Sequence, residues 1–171
     1  DWKARYFLGL IYWGLRRADD ARRVFGECAD QPDYAPAYIS RAYLNRETDP
    51  ARALADYQRA QTIGKDDWRN WYHLASYYGT RGMHDKALDL ARQAAALFPK
   101  QDLIRILLAR TLLNSGLYQE CYAQLANATI LPFEGQRDVH HMFVDCQLAM
   151  AIEEMKRANW TRAIAHVNGA R

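Results

Sequence analysis

No run of apolar residues in this chain approaches the roughly 18 needed to read as a membrane-spanning helix. No signal-peptide pattern is visible at its start. Charge of a single sign is not gathered anywhere. The net charge is +3, residues 1–100 carry 16 basic and 13 acidic side chains, and residues 101–171 carry 7 of each. That excludes the basic stripe expected of a nucleic-acid binder and reads as a solvated, mixed surface. Cysteine is scarce: Cys28, Cys121 and Cys146 cannot all pair within one chain, and their spacing matches no metal motif. Buried free thiols are the reading this favours, which fits a soluble protein of a reducing compartment such as the cytoplasm. A glycine-rich phosphate loop and a G-x-S-x-G nucleophile elbow are both missing.

Candidate chemistry is equally thin. His140, His141, Asp145 and Cys146 are the most tempting group, with His141 and Asp145 four apart on one helical face. Two adjacent histidines point in different directions on a helix, however, and a zinc site needs three or four converging ligands. Solvated histidines beside a loop are the simpler reading, and His73, His84 and His166 read as isolated. Cys121 reads as a buried thiol at a packing position. The expectation is no enzyme activity, no cofactor and no metal.

What the sequence has instead is internal repetition. From Trp68 to Gln101, residues Trp71, Leu74, Ala75 and Tyr78 recur at i, i+3, i+4 and i+7, one face of a helix. Gly82 and Asp85 mark a break and a new start, Ala87, Ala91 and Ala94 line a second helix, and Pro99 ends it. The unit recurs along the chain, at about residues 2–34, 35–67, 68–101, 102–133 and 138–171. One position of each first helix is small: Gly9, Ala42, Ala75, Ala109 and Ala151. One position of each second helix is small as well: Ala21, Ala53, Ala87, Cys121 and Ala163. Small residues at both places let two antiparallel helices approach closely. A generic bundle would not need this register.

The pattern resembles the tetratricopeptide repeat, and the resemblance covers essentially the whole chain. It departs where a bulky residue is expected early in the first helix, at Arg5, Arg105 and Gln147, and where Leu131–Phe143 lengthens a joint with Pro132 and Gly135. A loop is expected there, with an early start to the next helix. Thr48 and Asp49 read as caps for a helix opening on Pro50, and Asp19 and Asp85 sit at the starts of second helices, where the helix dipole favours an acid.

The resemblance implies an all-α, right-handed α-α superhelix of about five hairpins, residues 1–171 forming one solenoid domain. It also implies a non-catalytic scaffold that binds a protein or peptide on a concave face built from the first helices. Carried over by position, that face comprises Lys3, Tyr6, Leu10, Trp13, Ile39, Tyr43, Arg46, Arg69, Tyr72, Ser76, Arg110 and Asn114. Aromatics and arginines of this kind are enriched at binding hot spots. A solenoid also packs many such rings on the neighbouring hairpin, so burial of Tyr6, Tyr43 and Tyr72 is the competing expectation. The subfamily that clamps a C-terminal carboxylate is not matched, because Tyr6 and Leu10 stand where its Lys and Asn would be. The segment LPFEG at 131–135, the long helix after it and Asn159-Trp160-Thr161-Arg162-Ala163 resemble the repeat region of large bacterial multidomain proteins with carbohydrate-linked neighbours. That resemblance implies a spacer or helper role beside an upstream domain of the same polypeptide, and the absence of an initial Met and an end inside a helix read as a fragment. An RNA-binding helical repeat is the remaining alternative, but the arginines follow no regular base-reading code.

Overall fold

A computed structural model describes residues 1–29, 33–126 and 136–170, and these residues form helices with no strand among them. In chain order the helices are α1 (Trp2–Gly14), α2 (Ala18–Ala29), α3 (Ala35–Asn45), α4 (Pro50–Ile63) and α5 (Trp68–Thr80). They continue as α6 (His84–Leu97), α7 (Asp102–Asn114), α8 (Tyr118–Ala126), α9 (Gln136–Lys156) and α10 (Trp160–Gly169). The chain divides into two compact units, Asp1–Tyr77 and Tyr78–Arg171.

The small positions do what sterics demands of them. Gly9 is buried, and the other nine are at most 4% exposed. Their effect is clearest at Gly9, where a Cβ would stand only 2.5 Å from a carbon of the Phe25 ring. Phe25 is fully buried with Ala21, Cys28, Ala37, Tyr38 and Ala60, and this cluster is the core of the first unit. Burying a ring of that size contributes about 1.5–3 kcal/mol.

The turns between paired helices repeat as well. Arg16, Gly82, Gly116 and Ala158 all have positive φ, between 58° and 74°. Each stands seven residues after its hairpin's small residue, at Gly9, Ala75, Ala109 and Ala151. After each, the next N–H reaches back five residues: Arg17 to Tyr12, Met83 to Tyr78, Leu117 to Leu112 and Asn159 to Glu154, all at 2.9–3.0 Å. This is the Schellman closure, which satisfies a terminal carbonyl by a left-handed residue. The second hairpin is one residue shorter and closes differently, the Asp49 N–H bonding to the Asn45 carbonyl at 2.7 Å. Asp49 then caps α4, its carboxylate accepting from the Arg52 N–H at 3.1 Å, with Pro50 in the first turn. Asp19 and Asp85 lie in the first turns of α2 and α6.

In the first unit the joint into α5 is tied by side chains. Asn70 donates to the Gly64 carbonyl at 2.7 Å, the Trp71 indole N–H to the Lys65 carbonyl at 2.8 Å, and the Tyr77 hydroxyl to the Pro50 carbonyl at 2.9 Å. Between α3 and α4 a bidentate ion pair, Arg41 to Asp56 at 2.8 Å for both bonds, is almost wholly buried.

In the second unit α7 is the most enclosed helix, burying Ile104, Ile106, Leu107, Leu108, Ala109, Thr111 and Leu112. α9 runs for 21 residues and begins at Gln136. The LPFEG segment, Ala128 and Pro132 lie outside the described residues. α10 spans Trp160–Gly169, and the Ala170 N–H bonds to the His166 and Val167 carbonyls at 3.1 and 3.3 Å.

Candidate functional site

Every residue of the expected binding face within the first unit lies on a first helix or at its end, and the structure sorts these residues by exposure. Lys3 is exposed, while Tyr6, Leu10, Trp13, Ile39, Tyr72 and Ser76 are half-buried. Tyr6 is largely a packing residue. Its ring meets Phe25 at 5.8 Å and Tyr34 edge-on at 5.3 Å. Burial pushes its phenol above the usual value, and a hydrogen bond with Ser40 opposes that shift. Leu10 packs against the same core.

Trp13, Tyr43 and Arg46 come together. The Trp13 ring on α1 lies 5.2 Å from the Tyr43 ring on α3, and the Arg46 guanidinium stands over the Tyr43 ring, 3.9 Å from its centroid. The Trp13 ring also meets the Phe25 ring in a T-shaped contact, with centroids 6.3 Å apart. Tyr43 remains 40% exposed, and the Arg46 side chain 42%. A cation over a ring is worth about 0.5–1 kcal/mol at an exposed site, so the stack is ordered without being closed off. Arg46 also faces Glu47 at 3.7 Å, a long and solvated pairing of little energetic weight.

A second aromatic group lies around α5. Tyr57 stacks on His73 with ring centroids 6.4 Å apart and meets Tyr77 at 5.1 Å. Burial pushes the Tyr57 phenol up to about 12, while the charge of Arg46 pulls the other way. Burial holds His73 below the usual histidine range, with Asp67 opposing. His73 is therefore a packed ring, which corrects the reading of it as isolated. Tyr72 sits edge-on to Trp68 and to His73. Arg69 covers Trp68 at 5.1 Å and pairs with Asp67 at 3.3 Å, so its charge is engaged at the start of its own helix.

In the second unit Arg110 and Asn114 are exposed on α7. Among the described residues, no group of three or more His, Cys, Asp or Glu could hold a metal ion. His140, His141 and Asp145 are exposed and Cys146 is buried. His166 is not isolated either: its Nδ1 lies 2.8 Å from Oε1 of Gln147. This pairing explains how Gln147 occupies a bulky apolar position, because the hydrogen bond offsets the cost of burying its amide. The hairpin of α9 and α10 leaves Leu148, Ile152, Met155, Trp160, Ile164 and Val167 exposed.

The sequence also gave no warning that Cys121 and Cys146 face each other. Their Sγ atoms lie 2.7 Å apart, and both residues are fully buried. The contact pulls the Cys146 thiol below its ordinary value and, with burial, holds the Cys121 thiol far above its own. The only signal in the sequence is that Cys121 and Cys146 each occupy a register position that is buried in neighbouring hairpins.

Paired helices with small residues at fixed contact positions and Schellman turns at a fixed offset define an all-α, tetratricopeptide-like hairpin fold. Residues 68–111 match the family model of the tetratricopeptide repeat. Among solved structures, YrrB, a TPR protein described as having an unusual peptide-binding site, aligns over 99% of this chain and 84% of its own. It does so at 16% identity with a TM-score of 0.71. The MamA protein aligns over 99% of this chain and 89% of its own at 12% identity, also with a TM-score of 0.71. At such identities the likeness is one of fold. No curated protein matches the chain. Among the described residues no helix is long and apolar enough to cross a membrane.

Proposed function

We propose that the chain is a non-catalytic interaction scaffold that binds a peptide or protein segment on the ledge formed by Trp13, Tyr43 and Arg46. The observation that carries this reading is the open stack itself: an aromatic ring 40% exposed, backed by a second ring at 5.2 Å and topped by a guanidinium at 3.9 Å. Rigid aromatics bury a large area at small entropic cost, and arginine adds bidentate recognition of a carboxylate. The ligand chemistry this fits is an extended segment that places an apolar or aromatic side chain on Tyr43 and an acidic one against Arg46. That the similar YrrB is described as having a peptide-binding site agrees with this reading.

Selection of a random peptide library on the full chain tests it. Enriched peptides are expected to pair an acidic residue with an aromatic or branched apolar one. They are expected to lose about tenfold or more in affinity, ~1.4 kcal/mol or more, on a Tyr43→Ser, Arg46→Glu variant of unchanged helical circular dichroism. Equal affinity for that folded variant would sink the assignment.

A further inference from the structure

Cys121 lies on α8 and Cys146 on α9, with their sulfur atoms 2.7 Å apart. That is about 0.65 Å longer than the roughly 2.05 Å of a covalent S–S bond. The register places both residues. Cys121 is the small position of its helix, where the other hairpins have Ala21, Ala53, Ala87 and Ala163. Cys146 stands five residues before Ala151, as Ala37 does before Ala42, Asn70 before Ala75 and Ile104 before Ala109, and all four of these leading residues are at most 3% exposed. The two thiols therefore stand at buried register positions of two helices, α8 and α9, that pack on each other. The third thiol, Cys28, belongs to the core of the other unit and is turned to the Phe25 carbonyl, 3.6 Å away.

We infer that Cys121 and Cys146 are an intramolecular disulfide pair, closed by thiol–disulfide exchange with a low-molecular-weight disulfide while the second unit folds. One cysteine thiolate attacks a sulfur of oxidised glutathione, forming a mixed disulfide and expelling one glutathione thiolate. The other cysteine thiolate then attacks the protein-side sulfur of that mixed disulfide and expels the second. Two protein thiols are oxidised, one small disulfide is reduced to two thiols, and the two protons pass to the glutathione released. Complete burial of both sulfurs places the exchange before packing is finished, and it shields the closed bond from reductants afterwards.

Refolding the reduced, denatured full chain in a glutathione redox buffer tests this, with alkylation as the quench and peptide mapping without reduction. The expected result is one peptide pair joining Cys121 to Cys146 with Cys28 alkylated. A Cys28→Ser variant is expected to give the same pair, and Cys146→Ser none. Alkylation of all three thiols in a chain that has regained its helical circular dichroism, or a bridge through Cys28, would overturn the proposal. If the helical signal does not return on refolding, the same map is read on never-denatured chain held with oxidised glutathione in sub-denaturing urea. Absence of the Cys121–Cys146 peptide there overturns the proposal equally.

Discussion

The Phe25 ring occupies the space that a side chain on Gly9 would need: a Cβ at that position would lie 2.5, 2.7 and 3.0 Å from three ring carbons. Phe25 is fully buried and has little room to retreat. Gly9→Ala is therefore expected to destabilise the chain by about 1–3 kcal/mol, the cost of overpacking a close contact. Gly14, also in α1, meets nothing within 4 Å, so Gly14→Ala is expected to be neutral or slightly stabilising. Paired thermal melts read both. Ala87→Leu, at a residue 1% exposed in the small position of the third hairpin's second helix, should cost a similar ~1–3 kcal/mol. A parent-like melt for either destabilising variant would mean that the register is misplaced.

Ala158 has φ of 58° at the turn position that Gly82 and Gly116 fill in other hairpins. A left-handed conformation costs a non-glycine residue roughly 1–2 kcal/mol, partly offset by the greater chain entropy glycine loses on folding. Ala158→Gly is expected to raise stability by about 0.5–1 kcal/mol, and Gly82→Ala to lower it by a similar amount, in urea unfolding. Opposite signs would remove the turn equivalence.

These two cases show what was legible in the sequence. The ten small positions are readable because sterics tolerates few alternatives there, and Gly82 and Gly116 are readable because glycine advertises positive φ. Arg16 and Ala158 carry no such mark, since their backbone is imposed by the hairpin and not by their own preference. Arg41 with Asp56, Gln147 with His166 and Cys121 with Cys146 stayed hidden for another reason: each contact depends on which faces of two different helices meet. The expected binding face was legible as positions only. Tyr6 fell to the core because Phe25 and Tyr34 flank it, and Tyr43 stayed 40% exposed beside Trp13 and Arg46.

The Arg41–Asp56 pair is 7% and 6% exposed, so removing one partner leaves a buried charge. Asp56→Ala is expected to cost about 3–5 kcal/mol, whereas the double replacement Arg41→Met, Asp56→Leu should lie much closer to the parent. A double-mutant cycle by urea denaturation measures the difference. If the single and double variants are equally unstable, the cost comes from lost packing and not from the orphaned charge.

His73 links stability to pH. Burial lowers its folded value below that of the unfolded chain, ordinarily near 6.5, so the unfolded state binds the proton more readily. The neutral ring's contribution is whole above about pH 6.5 and is lost as pH falls from there through the lower folded value. His73→Phe is expected to flatten this part of the stability curve, measured as urea midpoints between pH 5 and 8. An unchanged slope in the variant would assign the acid sensitivity to other groups.

The central functional statement is that ligand lies on the Trp13–Tyr43–Arg46 ledge, and indole N–H resonances report this directly, because Trp13 and the exposed Trp160 belong to different units of the chain. Titrating a selected acidic-aromatic peptide into the labelled full chain should shift the Trp13 indole and the Arg46 Nε signals in a saturable way and leave Trp160 in place. Shifts confined to Trp160 and the exposed side of α9 and α10, with Trp13 unmoved at saturation, would contradict the account.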